Sequence, residues 1–318
     1  MVSETKPELA AAALDGLAKY ERAPRLDIRP RRKVIAQIGP ATLRDCGGTG
    51  PPAVLVPSLI NPPDILDLDD DVSLAAAVAR MGRTAMLVDW GPASARGALD
   101  LGSHVESLLL SLLGKIGEKP ALVGYCLGGT MAIAAANLVD VERVATLAAP
   151  WRFSAYPPGA RESLQRLWHS ASPTAERLGA LPMEVLQSAF WSLDPERTVA
   201  KFAGFAELAP DSSKAQRFVT LEDWANEGEA LPFPAARELI EDLFASDLPG
   251  IGEWRVGGRA IGDRLSCPLL NITAADDRIT PAAAAPAGEI HRIDAGHVGM
   301  VVGSARPKLH EALAGFLG

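Results

Sequence analysis

Short apolar runs recur along the first half of the chain. Ala53 to Val56, Thr84 to Asp89, Ala121 to Tyr125 and Val144 to Ala148 each have the length and composition of a buried strand. Between them, Val72 to Met81 and Leu99 to Ile116 carry the periodicity of helices. Apolar strands alternating with helices predict an α/β fold with a mostly parallel central sheet covered on both faces. Upstream, Val34 to Ile38 and Ala41 to Asp45 flank Gly39-Pro40, the pattern of a hairpin. Residues 6–20 read as an amphipathic helix with Leu9, Ala13, Leu17 and Tyr20 near one face. A helix this short is marginal alone, so it should pack on the domain.

The alternation stops near Pro150. From Trp151 to about Ala260 the pattern is of helices joined by irregular loops, and the stretch holds five of the six tryptophans and seven of the eight phenylalanines. This predicts a helical cap inserted into the sheet domain. Its aromatics would serve mainly as the cap's own core, and in part as a wall for an apolar acyl group. Strand character returns at Pro268 to Thr273 and Glu289 to Ile293, and an amphipathic helix, Ala305 to Phe316, closes the chain. The expected organisation is therefore a core in two pieces, 1–150 and 261–318, interrupted by a cap at 151–260.

One junction carries chemistry. The strand Ala121 to Tyr125 runs into Gly124-Tyr125-Cys126-Leu127-Gly128, and an alanine-rich helix follows. A reactive side chain at the tip of a sharp strand-to-helix turn needs small residues two positions to either side, because side chains there would strike the adjoining strand or helix. The positive end of the following helix favours a thiolate at Cys126. A thiol also needs a base. His297, in Ala295-Gly296-His297-Val298-Gly299 just after the last strand, is the candidate. His104 and His310 fall on helices, His169 in the cap and His291 within a strand, all places for surface or packed histidines. An acid should follow the next-to-last strand. Asp276 and Asp277 both lie there, and Asp277 is preferred because it opens an acid-x-hydrophobic-x-Pro run, Asp277-Arg278-Ile279-Thr280-Pro281. It would orient the imidazole and stabilise the imidazolium. The order Cys126, Asp277, His297 is the nucleophile–acid–histidine order of the α/β-hydrolase fold. An oxyanion in such a site needs two backbone N–H donors, expected from Leu127 and from Leu59 or Ile60 in the loop after the first sheet strand.

Composition narrows the alternatives. A net charge of −8 without basic-aromatic interleaving gives no reason to expect nucleic acid, and any anionic ligand would need local basic groups. Three cysteines without paired spacing suit a reducing compartment, and Cys46 and Cys267 read as small core residues. The N-terminus lacks the charged-then-apolar pattern of a signal peptide, and no apolar run is long enough to span a bilayer, so a cytoplasmic protein is expected. Ligand-spaced Cys or His pairs and a GxGxxG are missing, so neither a metal nor a dinucleotide cofactor is expected. Gly47-Gly48-Thr49-Gly50 is followed by a strand rather than by GK[ST] and reads as a turn. Arg29-Pro30-Arg31-Arg32-Lys33 reads as a solvated lead-in to a strand.

Taken together, Val56-Pro57-Ser58-Leu59-Ile60-Asn61, Asp64-Ile65-Leu66-Asp67-Leu68, Gly124-Tyr125-Cys126-Leu127-Gly128-Gly129-Thr130, Asp277 to Pro281 and Gly296-His297-Val298-Gly299 resemble the polyhydroxyalkanoate synthases. The resemblance spans most of Ala53 to Val302, and Trp90-Gly91-Pro92 stands where those synthases often carry Trp-Arg-Asn. It implies a cysteine that takes hydroxyacyl groups from a coenzyme A thioester and passes them to a hydroxyl acceptor, His297 as base, and Asp277 helping to activate that acceptor. It implies no metal or prosthetic group, a homodimer or partner subunit, and association with polyester granules. A hydrolase with the same three residues (polyester depolymerase, esterase or thioesterase) and a non-catalytic granule-associated subunit are the other readings.

Overall fold

A computed structural model describes residues 7–25, 28–192 and 195–318. Eight strands form one sheet: β1 (Lys33–Ile38), β2 (Ala41–Asp45), β3 (Pro52–Val56), β4 (Thr84–Asp89), β5 (Ala121–Tyr125), β6 (Arg143–Leu147), β7 (Leu269–Ala274) and β8 (Glu289–Ile293). Their order is β1-β2-β4-β3-β5-β6-β7-β8. β1 and β2 form the antiparallel hairpin, β2 joins β4 antiparallel, and the remaining pairings are parallel. Every residue of β3 and β5 is buried, as expected of strands covered on both faces. One core packs the helices around Leu101–Leu113 and Leu127–Leu138 against one face, and a second packs Leu74–Arg80 and Arg306–Leu317 against the other.

Helix starts depart from the hydrophobic pattern where a polar side chain caps them. The helix expected from Val72 begins at Leu74, because the Ser73 side chain accepts the Ala76 N–H. That expected from Leu99 begins at Leu101 behind Asp100, which caps Ser103, and it is π-wound over His104–Leu109. The helix behind the elbow begins at Leu127 itself. The N-terminal helix runs Pro7–Arg22; Lys6 lies outside the described residues.

Between β6 and β7 the chain is mainly helical, with long helices Pro158–Leu178, Pro195–Ala206 and Ser213–Asn226. Two short ladders, Ala180–Leu181 with Leu231–Pro232 and Arg255–Val256 with Arg259–Ala260, add strand pairing there that the pattern did not predict. The N-terminal helix packs on this region. Gly16 lies so close to Pro195–Ala206 that a Cβ would stand 1.9 Å from the Phe202 carbonyl oxygen. Lys19 donates to the carbonyls of Phe205, Ala206 and Leu208 at that helix's C-terminal end. The arginine cluster is not a merely solvated lead-in: Arg32 makes a two-pronged pair with Asp67 at 2.7 and 2.9 Å, and Arg29 pairs with Asp64 and Glu227. Charge complementarity with the Asp64–Asp67 segment overrides the solvated reading. Gly47, Gly48 and Gly50 all have positive φ, as a turn requires.

Candidate active site

Cys126 sits at φ 54° and ψ −129°, one of three non-glycine residues with positive φ among those described. The turn is forced by its neighbours. Its N–H donates to the Leu147 carbonyl at 2.8 Å and its carbonyl accepts the Gly129 N–H at 2.8 Å, which ties strand and helix across one residue. A Cβ on Gly124 would lie 2.4 Å from the Gly129 Cα, and one on Gly128 would lie 2.2 Å from the Val56 carbonyl oxygen and 2.5 Å from that of Pro57. Both contacts are with backbone, so the glycines are required by space. Cys126 is partly exposed, while Cys46 is buried and Cys267 half-buried against the core.

The imidazole of His297 arrives on the loop after β8, and its Nδ1 lies 2.7 Å from Asp277 Oδ2. The Asp277 carboxylate is fully enclosed; its other oxygen accepts the N–H groups of Ile279 and Thr280, both at 2.8 Å. Asp276, by contrast, is exposed. Burial alone would depress the imidazole pKa, but the Cys126 charge and the Asp277 hydrogen bond outweigh it and push the ring up to about 10. The Cys126 thiol lies near enough to the ring to act on its charge. The structure thus brings Cys126, His297 and Asp277 together and leaves the other histidines elsewhere. His104 is buried between Arg96 and the Asp100 carbonyl, and His291 is exposed on β8.

Leu127 is the first residue of its helix, so its N–H has no intrahelical acceptor. The loop 57–62 begins beside this end of the helix, at the Pro57 carbonyl that a Cβ on Gly128 would meet. The Ile60 N–H makes a 3.5 Å contact to Ser58 Oγ, and Leu59 is buried. Two tryptophans hold this loop: Trp90 Nε1 donates to the Pro57 carbonyl at 3.1 Å, and Trp224 Nε1 donates to that of Pro62 at 2.8 Å. Tyr125 packs on His297, ring centroids 5.0 Å apart, and donates to its carbonyl at 3.4 Å. Sequence reasoning gave Trp90 and Tyr125 no role and read Trp224 only as one of the aromatics of the helical stretch 151–260. Trp90 and Tyr125 could have been suspected from their position at the carboxyl ends of sheet strands, whereas Trp224 carries no local signal.

Among the described residues no group of three or more His, Cys, Asp or Glu is arranged to hold a metal, and no helix is long and apolar enough to cross a membrane. Of the aromatics in the mainly helical region between β6 and β7, Trp168 stacks on Phe233, and Phe202, Phe205 and Phe218 cluster with Tyr20, so most form internal packing. The Trp191 side chain lies outside the described residues. Phe153, Tyr156 and Phe244 form a separate group, with Tyr156 in electrostatic range of Cys126.

A parallel sheet whose fifth strand ends in a strained turn, with an acid and a histidine on the last two strand-end loops, defines the α/β-hydrolase fold, and the chain has that fold. Epoxide hydrolase A from Mycobacterium thermoresistibile superposes with a TM-score of 0.53 at 18% identity, covering 91% of this chain and 98% of that one. The carboxylesterase CesB from Bacillus subtilis gives 0.51 at 13% identity, covering 96% and 98%. By sequence, the chain is similar to the poly(3-hydroxyalkanoate) polymerase subunits PhaC. That of Haloferax mediterranei is 26% identical over 272 residues, 80% of this chain and 55% of its own length. The Haloarcula marismortui subunit is 25% identical over 273 residues, 80% and 58%. The Synechocystis subunit is 26% identical over 296 residues, 84% and 77%. The chain thus spans little more than half the length of the Haloferax and Haloarcula relatives. No protein-family model matches it. The resemblance carried by the short motifs therefore extends over four fifths of the chain.

Proposed function

We propose that the protein is a cysteine acyltransferase of the polyhydroxyalkanoate synthase kind, with Cys126 as nucleophile, His297 as base and Asp277 as the group orienting it. The observation that carries this reading is a buried imidazole held between a fully enclosed carboxylate and a sulfur on a strained turn. The Cys126 thiolate attacks the carbonyl of a hydroxyacyl-coenzyme A, and the C–S bond to coenzyme A breaks. The departing thiolate takes the proton of the His297 imidazolium. In the second half, neutral His297 accepts the proton of an acceptor hydroxyl whose oxygen attacks the acyl-cysteine. The new C–O bond forms, the Cys126 C–S bond breaks, and the thiolate and imidazolium are restored. Thiol and thioester leaving groups are closely matched in basicity, so acylation is reversible and the acyl-enzyme can wait for an alcohol. Leu127 N–H, with that of Leu59 or Ile60, would hold the oxyanion; losing one such donor costs about 3–4 kcal/mol. The helical region 151–260 would act as a cap that keeps water off the acyl-cysteine. The substrate is an acyl thioester, no metal or prosthetic group takes part, and the protein works as a homodimer or with a partner subunit at cytoplasmic polyester granules.

Incubation with 3-hydroxybutyryl-coenzyme A, following thiol release and product mass, tests this. Polymer bears out the transferase. Free hydroxy acid with the same release makes the protein a hydrolase, and no release with no adduct on Cys126 makes it a non-catalytic subunit. Cys126→Ala should lower the rate by about 10⁴-fold or more, and a variant that keeps full rate ends the assignment.

A further inference from the structure

Beside the reactive centre lies a pair of hydroxyls that the reaction above does not use. Thr280 Oγ1 is fully buried and makes no hydrogen bond, although its own N–H is fixed on the Asp277 carboxylate. A buried hydroxyl without a partner is uncommon, because burial strips its water and returns nothing. The side chain approaching it is Tyr156, itself buried, whose phenol reaches the range of Thr280 and lies in the field of Cys126 and Asp277. Burial and those neighbouring negative groups keep the phenol protonated, so it remains a donor. The rest of the Tyr156 surroundings is apolar: it stacks on Phe153 with ring centroids 6.0 Å apart and meets Phe244 at 4.9 Å.

Two hydroxyls close together in an aromatic wall, one of them unsatisfied, call for a ligand atom that both donates and accepts. A methylene would leave both unpaired. A carboxylate would set a third negative charge beside Asp277 and Cys126. We propose that Tyr156 and Thr280 read a hydroxyl on the acyl chain carried by Cys126, and so select hydroxyacyl over plain acyl groups. This rests on Cys126 being the acyl carrier.

The test compares 3-hydroxybutyryl- with butyryl-coenzyme A in wild type, Tyr156→Phe and Thr280→Val, reading the single-turnover rate of Cys126 acylation by mass and the binding of each thioester by calorimetry. Wild type should prefer the hydroxylated thioester, and each variant should lose about tenfold of that preference while still acylating with butyryl groups. Thr280→Val should also unfold at a higher temperature than wild type, since it removes the orphan hydroxyl. A hydroxyl with a purely structural role would give the opposite shift and leave the preference alone. No preference in wild type, or an unchanged one in both variants, overturns the proposal. Where wild type gives no Cys126 adduct, the acyl-carrier reading falls by itself: a binding preference lost in the variants still supports the reader, and equal binding of the two thioesters sinks it.

Discussion

Gly128→Ala is a severe test of the elbow, because two effects of known size oppose each other there. Gly128 is the second residue of the helix Leu127–Leu138, and within a helix alanine is favoured over glycine by about 1 kcal/mol. Against that, the added Cβ would stand 2.2 Å from the Val56 carbonyl oxygen, 2.5 Å from that of Pro57 and 2.7 Å from the Pro57 carbonyl carbon. Ordinary carbon–oxygen contact is about 3.4 Å, so helix or loop must retreat by roughly 1 Å, and overpacking of this kind costs about 1–3 kcal/mol. The groups in the way are backbone, held by the Trp90 hydrogen bond to Pro57 and by β3 in mid-sheet, so the relaxed end of that range is closed and the clash wins. The retreat also pulls the loop of Leu59 and Ile60 away from the Leu127 N–H. A misplacement of about 1 Å in such a site lowers turnover by roughly 10²-fold. Urea unfolding and acylation rates measure the two losses. Gly204→Ala is the control, since its Cβ would meet nothing within 4 Å in a helix, and it should be neutral or slightly stabilising. If Gly128→Ala unfolds and reacts like Gly204→Ala, the elbow is not packed as described and the geometry assigned to Cys126 loses its basis.

The imidazole of His297 should titrate near pH 10 by NMR, and its pKa should fall in both Cys126→Ala and Asp277→Asn, which remove the charges holding it up. Because its folded pKa lies above the unfolded value of about 6.5, this interaction stabilises the fold fully below about pH 6.5 and is lost as pH rises through about 10. Unfolding free energy measured from pH 6 to 10.5 should therefore fall toward the alkaline end more steeply in wild type than in Cys126→Ala; parallel curves would refute the coupling. Asp277→Asn should also lower turnover by about 10³–10⁴-fold, and an Asp276→Asn variant, altered at an exposed position, should not. Lys19→Met should cost about 1–3 kcal/mol through the lost carbonyl contacts and raise amide exchange in Pro195–Ala206 before the sheet; uniform exchange across the chain would show that the N-terminal helix does not clasp that region.

What could be read from the chain in advance was whatever a local signal encodes. β3, β4 and β5 were legible as strands because apolar runs of that length have few other uses, and Cys126, Asp277 and His297 because each sits in a short motif at a strand end. Helix starts were misjudged by a few residues where Ser73 and Asp100 cap them, since periodicity reports the buried face and not the cap. Arg32 was misread because its partner Asp67 is 35 positions away. The same limit explains the loop 57–62. β4 and β3 are neighbours in the sheet, which sets the Trp90 indole against Pro57, but nothing local to either segment announces that order.

That loop also shows why the candidate site depends on more than Cys126, Asp277 and His297. Residues 57–62 are held from below by Trp90 at the end of β4 and from above by the Trp224 indole on the carbonyl of Pro62, while Asn61 reaches the carbonyls of Trp224 and Ala225. The lower anchor belongs to the sheet and the upper one to the helix Ser213–Asn226 between β6 and β7. A backbone N–H in this loop is therefore positioned jointly by the sheet and by the helix Ser213–Asn226. Movement of the helix Ser213–Asn226 would draw the Leu59 and Ile60 amides with it, whereas Cys126, Asp277 and His297 follow β5, β7 and β8 and would stay. Trp224→Phe separates these contributions: it keeps an aromatic ring but deletes the N–H to Pro62. Its expected signature is a loss of transition-state stabilisation, with turnover down about tenfold for one hydrogen bond, while the His297 titration stays where it is. A His297 pKa that moved with the Trp224 substitution would mean that the helix Ser213–Asn226 supports the imidazole too, and that the division between residues fixed on the sheet and a loop shared with that helix is wrong.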